Sequence, residues 1–464
     1  MSRDILAIDV GTTALKLAVY SPDLEKRCAA TRRYDVNIYR GMADIEPEKW
    51  WIALRECCHE IRDYLSGVGV VNFSVTTPGL TPMAADGTAL GPAILFFDGR
   101  SHKQARAIRQ LVGEEKFLRE TCNLPVSGGS SLCSMLWIRE NQPDVWKATA
   151  KFGHCNTYMV KRMCGEWAID PSTVSITGLY NSWRNDLTYN QDVLRLAEIP
   201  EELLPPLMQS YDAAGTILPS VAAELGLPSD CTILAGGNDA TLAALSGGLT
   251  EPGDINIICG TCEIINVCFD HPIGSPNFNV RCHAIPGRWL SFFVLNTGGK
   301  ALEWFYKNFC RDMSEQAFYT EYIPSVLDAF FADPSREETL PGYVPFLGGS
   351  RYSLEPLKAE FSGVTLETTR DDFLLAIIRG NALYHKQHLD EVRGSIKLGK
   401  VVMTSGGSAT IRGYLEAKKR WTGDFEYRYQ DQCSELGAAM LAQMYQRGTW
   451  KQSGNAQAQP ASRG

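Results

Sequence analysis

The chain opens on an apolar run, Ile5-Leu6-Ala7-Ile8, closing at Asp9-Val10-Gly11. After Thr12 and Thr13 a second run, Ala14 to Tyr20, alternates apolar and polar positions. An apolar run, a glycine turn and an alternating run predict a β-hairpin. Tyr34 to Ala43 reads as an edge strand and loop. Val70 to Thr76 reads as a strand broken by Pro78-Gly79, Asp86-Gly87 as a hairpin turn, and Ala93-Ile94-Leu95-Phe96-Phe97 as a short buried strand. Helical patterns run from Glu46 to Leu65, with Pro47 and acids in the first turn, and from Ser101 to Asn141 with a break at Gly128-Gly129. His154 to Cys164, Gln191 to Glu198 and Asp371 to Val392 continue the set.

Midway, the strand Thr232-Ile233-Leu234-Ala235 runs into Gly236-Gly237-Asn238-Asp239, and Thr241 to Gly248 follows as a small-residue helix. A turn at Glu251-Pro252-Gly253-Asp254 precedes the strand Ile255 to Cys259, which leads to Gly260-Thr261. A domain boundary is expected here, giving 1–247 and 248–447 with a tail at 448–464. The second half repeats the theme. Asn296-Thr297-Gly298-Gly299 precedes a helix through Trp304, and Val401 to Ser405 is a strand feeding Gly406-Gly407-Ser408. From Gln446 onward the apolar content is too low to pack, which predicts disorder.

A length of 464 residues exceeds one core and sets a prior of two domains of about 200 residues each. Hydrophobic and charged fractions of 44% and 21% are those of an ordinary globular protein. A net charge of -8 argues against nucleic acid or an anionic membrane as main partner, although a few local donors still suffice for a phosphate site. No run reaches the ~18 apolar residues of a membrane span, and Met-Ser-Arg-Asp opens no hydrophobic leader, so a cytoplasmic location is expected. The 14 cysteines are scattered through apolar runs and read as buried thiols in a reducing compartment. Cys259 and Cys262 form the one close pair of interest; a redox or metal motif would want a second ligand pair or a helix start. The histidines are singletons or a helical pair, His385 and His388, and predict no zinc site.

The opening turn suits a phosphate. Gly11 lets the backbone approach a ligand, Thr12 and Thr13 offer amides and hydroxyls, and Lys16 adds a point charge. Asp9, at the end of a buried strand, suits a magnesium ion held through water. Alone, the same stretch reads equally well as an ordinary hairpin with a polar turn. Its weight comes from recurrence: strand-to-glycine turns return at Gly260 and Gly406, and at Gly237, where the turn carries the acid Asp239. Such turns in both halves are how two similar domains grip a nucleotide between them.

Asp9-Val10-Gly11-Thr12-Thr13 with Lys16, then Ala93 to Arg100, Gly236-Gly237-Asn238-Asp239, Cys259-Gly260-Thr261, Gly299 to Trp304, Ser405-Gly406-Gly407 and Glu435 to Ala439 form an ordered set. The set resembles the FGGY carbohydrate kinases of the actin-like ATPase superfamily, over nearly the whole chain except the tail. The resemblance implies an α/β protein of two ribonuclease-H-like domains with a cleft between them, binding sugar mostly in the first and ATP mostly in the second. It implies Asp239 as general base for the attacking hydroxyl, with helix N-cap as the structural alternative. ATP would meet Gly11, Thr12, Thr13, Lys16, Gly260, Thr261, Gly299, Gly406, Gly407 and Ser408, with Mg2+ near Asp9. The substrate would meet Thr77, Pro78, Phe96, Asp98, Asn238 and Asp239. A small sugar or polyol is the expected partner, and a homodimer is left open.

Departures bear on the substrate. Thr76-Thr77-Pro78-Gly79 stands where xylulokinases carry Met-His and glycerol kinases Arg-Glu. Phe96 replaces a usual tryptophan, Ala240 an amide, and Arg412 falls near an asparagine that touches the nucleotide. Cys262-Glu263-Ile264 looks more like the fuculokinase branch. Neither D-xylulose nor glycerol is therefore the expected best substrate. A regulatory ATP-binding member of the superfamily without phosphoryl transfer is the competing class. An iron-sulfur activator ATPase using Cys259 and Cys262 is a third reading, weakened because both fall at a nucleotide loop.

Overall fold

The computed structural model describes residues 3–430 and 433–449. The chain divides into two compact units. One gathers the residues up to Ser246 together with Arg281–Trp289 and the segment from Cys433; the other holds Gly247–Val280 and the stretch from Leu290 to that last segment.

In the first unit the hairpin Asp4–Val10 and Ala14–Tyr20 is the centre of a sheet. Lys26–Arg33 lies outside Ala14–Tyr20, while Val68–Val75, then Thr232–Leu234 and Ala213–Thr216, extend the sheet on the other side. Asp4–Val10 pairs antiparallel with Ala14–Tyr20 and parallel with Val68–Val75, whose own partner Thr232–Leu234 is again parallel. The first strand is buried along its whole length. Leu6, Ile8 and Val10 face a core shared with Trp50, Trp51 and Leu54 of the helix Glu48–Glu60 and with Met159 of the helix Cys155–Cys164. Ile5 and Ala7 face a second core shared with Leu242 and Leu245 of the helix Asp239–Ser246 and with Leu441 and Ala442 of the helix Ser434–Arg447. Coverage on both faces explains why this strand is a continuous apolar run rather than an alternating one.

The second unit carries the same strand plan. Ile255–Cys259 pairs antiparallel with Glu263–Phe269 and parallel with Val401–Ser405, which pairs in parallel with Glu426–Tyr429. Trp289–Leu295 follows Glu263–Phe269 in the order, and Asn279–Cys282 closes that side. The helices Gly298–Phe309, Ile323–Ala332, Arg370–Arg393 and Tyr414–Thr422 complete this half. Among the described residues no helix is long and apolar enough to cross a membrane.

Several expectations need correction. The pattern from Tyr34 to Ala43 is a small hairpin, Asn37–Tyr39 with Met42–Ile45, turning at Arg40-Gly41. The helix expected from Thr241 starts earlier, at Asp239. Gln446 is still helical, because the last helix runs to Arg447 and stops at Gly448 in the left-handed region; the rest of the expected tail, 450–464, lies outside the described residues. This helix also corrects the domain plan, which assigned it to the second half. It packs in the first unit, where Asn72 Nδ2 donates to Ala438 O at 2.9 Å. A Cβ on Gly437 would lie 2.0 Å from Leu242 O, so only glycine lets the two helices come this close. Gly437→Val should therefore lower stability by about 1–3 kcal/mol, the usual cost of overpacking, as read by urea denaturation; an unchanged midpoint would refute this packing.

Candidate active site

Asp9 is the last residue but one of the first strand and stands in register with Lys16 across the hairpin and with Ser74 on the parallel neighbour. Ser74 Oγ donates to Asp9 Oδ1 at 2.7 Å, and burial still pushes this carboxyl above its ordinary value. The turn after Asp9 is pinned from behind. Tyr34 O–H donates to Gly11 O at 2.6 Å, Tyr34 N donates to Thr13 O at 3.1 Å, and Thr12 Oγ1 lies 3.3 Å from Thr76 Oγ1. Thr13 and Lys16 are exposed. The hydroxyl and ammonium expected to meet a phosphate thus stand free on a rigid turn.

The second acid follows a two-residue strand, Gly237–Asn238, laid parallel to Val68–Val75. The glycine before it is required. Gly236 has φ 78, and a Cβ there would sit 2.9 Å from Phe73 Cβ and 3.0 Å from Phe73 O. Asn238, expected as a sugar contact, caps the next helix: its Oδ1 accepts from Thr241 N at 3.1 Å and from Thr241 Oγ1 at 3.2 Å. That fixes the amide, so Nδ2 points the other way and donates to Thr77 Oγ1 at 2.9 Å and to Asp239 Oδ1 at 2.8 Å. The capping role suggested for Asp239 therefore belongs to its neighbour. Among the described residues Asp239 takes one backbone donor, Ala240 N at 2.7 Å. Loss of water, then the charge of Asp9, push its carboxyl up to about 6, against the pull of Arg281 and the two hydrogen bonds. A carboxyl raised by burial and by a second carboxylate, at the head of a helix, is a place to hold a proton.

Thr77 is buried, and its peptide to Pro78 is cis. Besides Asn238, its hydroxyl accepts from Arg281 Nη1 at 3.2 Å, so it is more than a packing residue. Phe96 is half-buried and stacks edge-on with Phe97. Asp98 is a correction. Its carboxylate is buried and accepts from Ala43 N at 2.5 Å, Arg100 N at 2.8 Å and Arg100 Nε at 2.9 Å, while Arg100 Nη2 also reaches Asp44 at 2.6 Å. A carboxylate so occupied anchors its loop, and no contact among the described residues joins it to Asp239.

In the second unit Gly260, Thr261, Gly299, Gly407 and Ser408 line one cavity of about 780 Å³, together with Cys259, Lys300, Glu303, Tyr319, Ile411 and Arg412. Gly406 lies behind this lining: its φ is 92 and a Cβ would fall 2.5 Å from Cys259 O. Gly407 has nothing within 4 Å of its Cβ position. Gly406 is thus needed by the fold, and Gly407 keeps space open. Arg412 is exposed and pairs with Asp328 at 2.8 Å.

Sequence reasoning missed what holds this loop. Glu263 is fully buried; it accepts from Lys418 Nζ at 2.6 Å and from Tyr414 O–H at 2.7 Å. A Cβ on Gly298 would lie 2.1 Å from Glu263 Cγ, which explains that glycine. Burial pushes the Cys259 thiol up to about 12, which does not favour a metal-binding thiolate. Among the described residues no group of three or more His, Cys, Asp or Glu gathers as a metal cage.

The model for the N-terminal domain of the FGGY family of carbohydrate kinases matches residues 5–246. The chain belongs to that family. It is 26% identical to a xylulose kinase of Bacillus subtilis over 451 residues, 94% of this chain and 87% of that one. It is 23% identical to a gluconokinase of the same organism over 393 residues, 82% and 75% of the two chains. Among solved structures, a ligand-bound xylulose kinase from Lactobacillus acidophilus superposes with a TM-score of 0.86 at 20% identity, covering 96% of this chain and 90% of that one. This FGGY protein is a carbohydrate kinase, a phosphotransferase for which the family implies ATP as donor.

Two outcomes test the site. With Asp239 required as carboxylate, kcat/KM for a sugar substrate should fall about tenfold per pH unit below pH about 6; a flat profile down to pH 5 would exclude that role. Gly407→Val fills open space without straining the backbone, so it should raise KM for ATP severalfold while KM for sugar stays put; the reverse split would misplace the nucleotide.

Proposed function

We propose that this kinase transfers the γ-phosphoryl group of ATP to a hydroxyl of a small ketose, such as a pentulose or deoxyhexulose, or of a polyol, with Asp239 as general base. What carries the reading is Asp239 itself: a carboxylate poised near pH 6 at the start of a helix, one oxygen fixed by Asn238 and Ala240. In the step, the sugar O–H gives its proton to Asp239 as its oxygen bonds to phosphorus, and the bond to the ADP oxygen breaks. Such a loose transition state needs positioning and charge neutralisation more than covalent help.

Thr12, Thr13 and Lys16 are proposed phosphate donors on the first unit, and the cavity of the second is proposed for the nucleotide. Asp9 fits magnesium: a magnesium ion keeps most of its waters and needs only one or two carboxylates besides the phosphates, so the lack of a closed protein cage is no obstacle. Bound there, the ion would neutralise phosphate charge. Thr77, Pro78 and Phe96 are proposed to lie along the sugar; with Thr77 in place of the Met-His and Arg-Glu pairs, D-xylulose and glycerol are expected to be poor substrates. A site whose buried donors suit other hydroxyls discriminates by well over about tenfold.

ATP consumption measured against a panel of pentuloses, hexuloses, tetritols and pentitols should find a substrate with kcat/KM above that of D-xylulose and glycerol. Asp239→Asn should bind that substrate and ATP yet lose about 10²–10⁴-fold in turnover. Near-normal turnover of this variant, or D-xylulose as the best substrate, would overturn the corresponding part of the proposal.

A further inference from the structure

The residues Arg281–Trp289 belong to the first unit although the chain on either side belongs to the second. The strand Asn279–Cys282 carries one charged side chain, Arg281, and buries it. Its guanidinium donates to Thr77 Oγ1 at 3.2 Å, to Ser172 O at 3.4 Å and to Thr77 O at 3.5 Å. Ser172 Oγ in turn accepts from Asn238 N at 2.9 Å and donates to the buried Asp170. Arg281 is thus tied to the segments on both sides of Asn238, the residue that holds one oxygen of Asp239.

We propose that Arg281 is a positioning residue for the catalytic base: through Thr77 Oγ1 and Asn238 Nδ2 it fixes the orientation of Asp239 and sets the acid limit of the reaction. The inference rests on the reading of Asp239 as base.

The donor count supports it. Asn238 Oδ1 is used on Thr241, so both Nδ2 hydrogens are directed outward, one to Thr77 and one to Asp239. Thr77 Oγ1 therefore accepts from Asn238. The guanidinium can only donate, so Thr77 accepts from it as well, and the Thr77 proton is left to be given outside this trio. Arg281 thereby decides which way the threonine hydroxyl points.

The surrounding charges agree. Facing Asp239 are Asp9 from the first strand, which raises it, and Arg281, which lowers it; Lys16 and Glu435 act on Asp9. The charge of Arg281 also acts on His154. Its Nδ1 accepts from Gly79 N at 3.2 Å, its Nε2 lies 3.0 Å from Ser131 Oγ, and burial pushes it down to about 3, so it stays neutral. Asp170, below Ser172, is raised by burial and held by Ser172, Ser210 and Asn156. Arg281 is then the cation that opposes Asp9 at Asp239.

The test compares wild type with Arg281→Met, Arg281→Lys and Thr77→Val in the full chain. The Asp239 carboxyl is followed by carbon NMR of aspartate-labelled protein, assigned by its loss in Asp239→Asn, beside the pH profile of kcat/KM for the best sugar. Arg281→Met should move the Asp239 titration and the acid limb upward by about one pH unit, lowering kcat/KM about tenfold at pH 5 and about twofold at pH 7, with KM for ATP unchanged. Arg281→Lys keeps the charge and should leave the titration near the wild-type position. Thr77→Val removes the relay and should lower kcat/KM through the sugar while shifting the titration less than Arg281→Met. An unmoved titration in Arg281→Met, whatever its activity, would refute the proposal; should that variant not fold, equal titrations in wild type and Thr77→Val together with unchanged kcat/KM would do so. A wild type in which Asp239 titrates as described but no sugar is phosphorylated would remove the kinase base reading and leave the Arg281 contact standing.

Discussion

The site depends on two carboxylates held where water is scarce. Asp9 and Asp239 come from strands that flank Val68–Val75, burial raises both carboxyls, and the charge of Asp9 makes that of Asp239 harder to carry. Left alone, such a pair would keep a proton at neutral pH and Asp239 would be an acid rather than a base. The surrounding residues work against this. Ser74 donates to Asp9, Ala240 and Asn238 donate to Asp239, and Arg281 supplies positive charge nearby. The outcome is a carboxyl near 6, ionised at neutral pH yet basic enough to take a proton, which is what general-base catalysis asks of it.

The second unit solves a different problem. A cavity lined by glycines needs backbone that stays in place without side chains to pack. A Cβ on Gly406 or Gly299 would fall too close to Cys259 O or Gly260 O, so the turns at both glycines press on the Cys259-Gly260 turn through the main chain. Behind them the buried Glu263 is held by Lys418 and Tyr414, with His385 Nε2 3.5 Å away and kept neutral by burial. A buried ion pair contributes little net stability against an apolar replacement, but losing one partner strands a charge and costs about 3–5 kcal/mol. Its value here is in fixing one arrangement: the strand Glu263–Phe269 and the helix Tyr414–Thr422 can meet in only one way.

What the sequence determined by itself was local. The first strand core was legible because a strand buried on both faces reads as a continuous apolar run, as in Ile5 to Ile8; its counterpart Ile255 to Cys259 keeps that run save for the buried Asn256. The turns were legible because left-handed or crowded backbone at Gly236 and Gly406 admits only glycine. Asp239 stood out through the family resemblance, because an acid directly after such a turn reads equally as a helix N-cap. Asp98 was over-read for the same reason: a carboxylate at a strand end looks the same in sequence whether it waits for a ligand or is already taken by Arg100 and Ala43 N. Tertiary structure alone decided the partners. That Asn238 rather than Asp239 caps the helix, that the helix Ser434–Arg447 packs with the first unit, and that Arg281 reaches Thr77 across 204 residues are matters of long-range geometry. Periodicity and spacing record how a residue relates to its own strand or helix; which distant donor meets which acceptor is set only when the elements pack.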